Sequence, residues 1–236
     1  MRRLLWPLAL FAIGAFPAAA ERTTEALFDV KIFGIKLGEF QIGGTNSVDR
    51  YSATARFRTT GIVDLVGRVH FDLSSGGARQ DGQFTPVFYA EELDTGRRQS
   101  SARLDYTAGV PRLTGGSLGD EEREVLDPQK QGGTVDPLTA MFMAARDQNT
   151  LELCNIDRIV FDGARRTRLM MKDRRKEDDQ VICSGKFVRL GGYSERQLND
   201  GREFTFEVTY APVQDAMRMD RAVVRSSRGT VTLVRR

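Results

Sequence analysis

Arg50-Tyr51-Ser52-Ala53-Thr54-Ala55-Arg56-Phe57-Arg58-Thr59-Thr60 decides the fold class of this 236-residue chain. Tyr51, Ala53, Ala55 and Phe57 share one face of an extended segment, and Arg50, Ser52, Thr54, Arg56 and Arg58 share the other. Side chains alternate across a strand with a period of two. The segment therefore reads as an antiparallel strand with one face buried and one in water.

The same alternation spreads in both directions. Residues 27–33 read as a strand, Gly34 punctuates it, and 35–42 continue with an apolar phase that shifts near Gly38. Such a shift is the mark of a bulge or bend. Residues 68–74, 84–93, 101–106 and 112–113 extend the series. Gly76-Gly77, Asp94-Thr95-Gly96 and Gly115-Gly116 read as turns between them. The apolar segment 61–67, held between two glycines, reads as a helical turn or a loop folded over the sheet.

The second half repeats the theme, with strands expected over 151–161, 166–172, 180–190, 203–210, 217–225 and 230–234. Asp162-Gly163 and Asn199-Asp200-Gly201 are hairpin signals. The mixed-charge run 173–179 reads as an exposed loop.

One helix interrupts the strands. Asp136 is a good N-cap, and Pro137 sits at the first helical position, where its missing N–H costs nothing. Leu138, Met141, Phe142 and Ala145 recur at helical spacing and should lie against the sheet, with the end near 146–149. Residues 115–135 form a long surface connection before it. There is no internal repeat and no convincing boundary within 21–236. The expected fold is mainly β: one β-rich domain made of a single curved antiparallel sheet, or open β-barrel, with one short packed α-helix.

The first twenty residues read as an address. Arg2 and Arg3 precede an apolar run over 4–16, and Pro17-Ala18-Ala19-Ala20 supplies small residues for cleavage. That order is a secretory signal peptide cut after Ala20, which places the protein in the periplasm. No second long apolar stretch follows, so no transmembrane segment is expected after cleavage. Removing Arg2 and Arg3 takes the formal charge from +3 to +1, which gives no electrostatic case for nucleic acid. An oxidising compartment favours pairing Cys154 with Cys183. Closing a loop of this length stabilises by roughly 3–4 kcal/mol in the chain-entropy account. No Cys-x-x-Cys spacing points to a redox pair.

Four short segments carry a family resemblance: Gly38-Glu39-Phe40, Tyr51-Ser52-Ala53-Thr54-Ala55, Phe84-Thr85-Pro86-Val87-Phe88-Tyr89 and Val135-Asp136-Pro137-Leu138-Thr139-Ala140. Together they resemble the uncharacterised-domain family numbered 3108. The resemblance implies an exported, β-rich envelope protein of Gram-negative bacteria. It transfers no catalytic residue, because the family has none defined. The architecture it implies is similar to curved-sheet envelope proteins, including lipoprotein carriers that hold acyl chains in a half-open barrel; that is analogy of fold.

Catalytic constellations are thin. His70, the one histidine, shares a strand face with Asp72, as any residues i and i+2 on a strand do, and no Gly-x-Ser-x-Gly accompanies it. One histidine and two pairing cysteines do not make a zinc site. Gly115-Gly116-Ser117-Leu118-Gly119 lacks the Lys-Ser/Thr that completes a phosphate loop. Glu91-Glu92 would serve a glycosidase only if the fold aimed both at one point. No enzyme activity, metal or cofactor is expected.

Arginines 97, 98, 165, 166, 168, 174, 175, 218, 221, 225 and 228 would form either a stripe for anionic envelope groups or ordinary strand-face charge. The chain has 14 phenylalanines. Phe57, Phe71, Phe88, Tyr106, Phe142, Phe204 and Phe206 fall at inward positions, where they fill a core or line an apolar groove able to take an acyl chain. Three functions follow, in order of preference. The first is a non-catalytic envelope protein holding a lipid-like or apolar ligand. The second is an envelope protein–protein module docking through a strand edge or the 173–179 run. The third is an enzyme on an envelope polymer.

Overall fold

The structure, a computed structural model, describes residues 21–61, 64, 67–96, 99–117, 125–227 and 229–236. The leader, Ile62-Val63, Leu65-Val66, Arg97-Arg98, Leu118-Gly119 and Arg228 lie outside the described residues.

Among the described residues thirteen strands form one antiparallel sheet. The first seven are β1 (Arg22–Ile32), β2 (Ile35–Asn46), β3 (Arg50–Thr59), β4 (His70–Gln80), β5 (Gln83–Asp94), β6 (Gln99–Thr107) and β7 (Val110–Gly115). The rest are β8 (Ile156–Phe161), β9 (Arg166–Glu177), β10 (Gln180–Gly191), β11 (Glu203–Val213), β12 (Ala216–Ser226) and β13 (Gly229–Arg235). Among the described residues two α-helices interrupt them, α1 (Pro137–Ala145) and α2 (Glu195–Asn199), besides a single 3-10 turn over Pro128–Lys130. The spatial order is β7-β6-β5-β4-β3-β2-β1-β13-β12-β11-β10-β9-β8. Apart from β7 and β8, each strand lies beside its chain neighbour, and β1 pairs with β13 in the middle, where Phe28 faces Arg235 and Ile32 faces Val231. The sheet stays open, because β7 and β8 end it without pairing to each other.

Helix α1 lies inside the curve. It touches β2, β3, β4 and β5 on one side, and β8 and β12 on the other. Only a sheet wrapped around the helix brings such distant strands to it. Its ends are tied to both wings. At the start, Val135 makes a parallel bridge to Val160 of β8. At the finish, Gln148 bridges Met217 of β12, the amide of Asp147 donates to Thr24 Oγ1, and Arg218 forks onto the Asp147 carboxylate.

Several local expectations are corrected. Gly76-Gly77 is not a turn. It lies within β4 at a register shift, where a Cβ on Gly77 would stand 2.1 Å from the Thr85 carbonyl oxygen. A glycine within a strand often marks such a close approach. The turn is Asp81-Gly82, and Gly115 closes β7 rather than starting a turn. The expected strand over 151–161 starts at Ile156, after a turn that carries Cys154. The run 173–179 is mostly strand: β9 reaches Glu177 and β10 resumes at Gln180, with exposed charges on both faces. Asn199-Asp200-Gly201 closes the unforeseen α2, which begins with a Ser194–Gln197 capping box. The shift expected near Gly38 is present, between Val30 and Lys31 of the partner strand.

Cys154 and Cys183 are joined. The bond ties the turn before β8 to β10 and passes over β9, so it does not clip neighbouring strands together.

Candidate functional site: an apolar cavity beside the central helix

Helix α1 starts where its sequence says it should. Asp136 Oδ1 accepts the Thr139 amide at 2.8 Å, and Oδ2 accepts the Thr139 hydroxyl at 2.6 Å and the Ser75 hydroxyl at 2.9 Å. Tyr51 OH lies 2.7 Å from Thr139 Oγ1. The cluster is buried between α1, β3 and β4. Burial pushes the Asp136 carboxyl up to about 6, against the pull of those hydrogen bonds. It pushes the Tyr51 and Tyr106 phenols up as well.

The helix is apolar all round, which is the pattern of a helix buried all round. Its two faces meet different surfaces. Phe142 is fully buried against the first wing and stacks on Tyr51 with ring centres 6.4 Å apart. Gly44 of β2 permits that approach, since a Cβ there would stand 2.9 Å from the Phe142 ring. Tyr51 in turn meets Phe84 edge-on at 4.9 Å. This side is filled.

The opposite face, Pro137, Ala140, Met141 and Ala144, touches the second wing at β8 and β12 but does not fill the space before it. A cavity of about 370 Å³ remains there. Leu169, Met171, Val208, Met219 and Ala222 form its far wall, and Phe40 and Ile42 of β2 close one side. Met141 and Ala144 are only half-buried although the sheet surrounds them, because they look into this space. Asp162, Arg165 and Thr167 supply polar atoms at one end.

Strand register defines that end. The strand ends Ile32 and Ile35, Thr59 and His70, Asp94 and Gln99, Phe161 and Arg166, Gly191 and Glu203, and Ser226 and Gly229 all lie at one end of the sheet, here called the mouth. At the mouth Thr167 Oγ1 lies 2.6 Å from Tyr193 OH, and the Arg165 and Arg189 guanidiniums stack on the Tyr193 ring at 5.6 and 5.0 Å. Asp162 caps its own turn by accepting the Ala164 and Arg165 amides, and burial raises its pKa. The far end is sealed. Arg79 and Arg146 both reach Glu152 and lie 5.5 and 5.4 Å from the Phe84 ring centre.

The aromatic residues expected along a groove scatter. Phe206 lines the cavity. Phe142 sits on the other helix face. Phe57 and Phe71 stack on each other at 5.4 Å, toward the mouth of the first wing. Phe88 lies over Gly76, and Tyr106 is buried in the first wing. Phe204 lies under Arg189 at 4.8 Å. Sequence reasoning missed Met141, Ala144, Met171, Val208, Met219 and Ala222. The available signal was the helix itself, whose residues 137, 140, 141 and 144 make a second apolar face at the same spacing as the first.

Other sequence candidates do not assemble. Asp72 is paired with Arg56 instead of orienting His70. Glu91 points inward to Tyr89 and Glu92 outward, as adjacent strand residues must. Much of the arginine stripe is ordinary strand-face charge: Arg175 and Arg225 both pair with Glu207, and Arg168 pairs with Asp157. Among the described residues no group of three or more His, Cys, Asp or Glu stands where it would hold a metal, and no helix is long and apolar enough to cross a membrane. A larger depression of about 660 Å³ on the outer face of β1–β5 has walls of mixed polarity, is floored by Gly43, Thr54 and Ser74, and is open to water.

No family model and no curated protein matches the chain. Among solved structures it is similar to a beta-barrel-like protein of the domain of unknown function DUF1849 from Brucella abortus. The two are 11% identical, with 92% of this chain and 96% of that chain covered and a TM-score of 0.49.

Proposed function

We propose that this is a non-catalytic, exported envelope protein that holds one lipid-like, single-chain apolar ligand between α1 and strands β8–β13. The resemblance to the family numbered 3108 and the periplasmic location belong to this reading. The observation that carries it is the cavity, about 370 Å³ of space walled almost wholly by carbon. Ligand pockets run from about 300 to 1,000 Å³, apolar with a few polar groups at one end. At about 30 Å³ per heavy atom, the space a water takes in the liquid, it admits roughly a dozen atoms. One unbranched chain fits that figure, with its polar end at Asp162, Arg165 and Thr167. The methionines of the wall suit a chain of variable shape, because a thioether side chain repacks at little cost.

Native mass spectrometry of the protein purified from the exported fraction, before and after solvent extraction, tests this. A stoichiometric adduct that extraction removes is expected. A clean apo mass, unchanged on adding a single-chain fatty acid, sinks it. The second reading, a protein–protein module, is favoured by the edge strand β7, whose outer residues Arg112–Gly115 are exposed. A clean apo mass together with a co-purifying partner lost on an Arg112→Pro change would support that one.

A further inference from the structure

We infer that the mouth end of the sheet is a docking face for an anionic phospholipid surface. The face stands on observations separate from the cavity, although it shares the mouth with it. Phe33 and Ile35 flank the β1–β2 turn and are 78% and 66% exposed. Leu190, 46% exposed, ends β10 at the same end. Folding does not ask for a phenylalanine here. Phe33 has φ 51° and Gly34 φ 82°, the left-handed pair of a tight hairpin turn, which favours Asn, Asp or Gly. A bulky residue at positive φ is uncommon and costs energy. Asp81-Gly82, at the opposite end, shows the ordinary solution to the same geometry. The Phe33 ring gains little burial in return: one edge rests over Gly229 and the rest faces water.

Charge separates the two ends. Arg58, Arg196 and Arg202 are exposed at the mouth and make no ion pair among the described residues. Glu92, Glu195 and Glu203 are exposed acids near them, with Glu203 paired to Lys186, and the half-buried Asp64 is paired with Arg68. At the far end the turns carry Asp49, Asp81, Asp178, Asp179 and Asp215. Of these, Asp81, Asp178 and Asp179 are exposed without an ion pair among the described residues, with exposed Arg174 and Lys176 beside the last two, and Val48 and Leu151 are 64% and 89% exposed at this end. Exposed apolar side chains thus occur at both ends, and what separates the mouth is that arginine leads among its unpaired exposed charges, whereas aspartate leads at the far end. An anionic bilayer attracts the mouth and repels the far end, and each basic group near such a surface adds to binding. Exposed apolar tips then enter the headgroup layer, where one signal alone gives weak, reversible attachment. Docked this way, the cavity mouth faces the membrane.

The test is vesicle flotation of the protein purified from the exported fraction, with vesicles of phosphatidylcholine alone or mixed with phosphatidylglycerol. Wild type should float with the mixed vesicles and much less with the neutral ones, and added salt should release it. Phe33→Ser with Ile35→Ser should weaken binding about tenfold without changing the melting temperature. Arg58→Glu with Arg202→Glu should remove the preference for anionic lipid. Asp178→Ser with Asp179→Ser, at the far end, should change nothing. Phe33→Trp, which puts the one tryptophan of residues 21–236 at the tip, should blue-shift on mixed vesicles. Failure of wild type to float, flotation unaffected by the tip changes, or equal loss from the far-end change overturns the docking face. Flotation without any cavity adduct supports docking and overturns only the ligand reading.

Discussion

The two wings of the sheet meet the same nine-residue helix in different ways. The first wing, β2–β5, sends in rigid rings, Tyr51, Phe84 and Tyr89, and clears room for Phe142 with Gly44. Rings against a glycine-lined strand interlock, and hydroxyls of Tyr51, Ser75 and Thr139 satisfy the buried Asp136. Opposite α1 the second wing, β8–β13, presents Met171, Met219, Val208 and Ala222, which are flexible or short, with the Phe187–Phe206 ring pair also lining the cavity, and a gap remains. One side of the helix is therefore held in place and the other is open to an occupant. The difference lies in side-chain size and shape, since both wings are antiparallel strands with alternating faces.

The comparison is sharpest at Phe142. Phe142→Ala should cost about 3–5 kcal/mol in denaturant unfolding, as for other fully buried rings. A loss under about 1 kcal/mol would mean that the first wing is not packed as described. Cys154→Ala with Cys183→Ala should cost roughly 3–4 kcal/mol. Because the bond anchors the turn that carries Glu152, the Arg79–Glu152–Arg146 seal at the far end should loosen with it, seen as faster amide exchange at Arg146.

Asp136→Asn should change the pH dependence of stability. The folded-state pKa of about 6 lies above the ordinary value of 3.8. Its contribution is therefore full below about 3.8 and lost as pH rises through about 6, a span worth about 3 kcal/mol by linkage. Asn caps a helix as well as Asp does. The variant should therefore show a flatter stability profile than wild type between pH 4 and 7, and identical profiles would contradict the buried, desolvated carboxyl.

On the cavity side, Ala144→Phe fills empty space. It should cost less than about 1.5 kcal/mol, against the larger penalties of overpacking a full core, and should abolish the mass adduct. A penalty as large as that of Phe142→Ala would erase the contrast between the two wings. His70→Ala should change stability by no more than about 0.5 kcal/mol and leave ligand retention intact, as measured by thermal melt and native mass.

Much of the molecule was legible without coordinates. The alternation over 50–60 assigned the strand and its buried face, because a period of two follows from pleated backbone geometry. Asp136-Pro137 marked the start of α1, because capping is a matter of a few adjacent atoms. The turns that were misplaced, Gly76-Gly77 and the 173–179 run, share one cause. Glycine and charge are compatible with a turn, but a bulge or an exposed hairpin tolerates them equally well, and only the pairing strand distinguishes these. The cavity wall escaped for a related reason. Met141 and Met219 look like core residues along the chain, and whether they touch anything depends on how far the sheet has curled.

The sequence by itself determined the class of the protein: strands with one wet face, one capped helix and a pair of cysteines. Those properties follow from local backbone geometry and side-chain chemistry. Only the tertiary structure decided that β1 pairs with β13, that α1 lies inside the curve, and that one of its faces is left facing a space. Each depends on hydrogen bonds and packing between residues far apart in the chain, such as Phe28 with Arg235 and Arg218 with Asp147. Local periodicity carries no record of those distances.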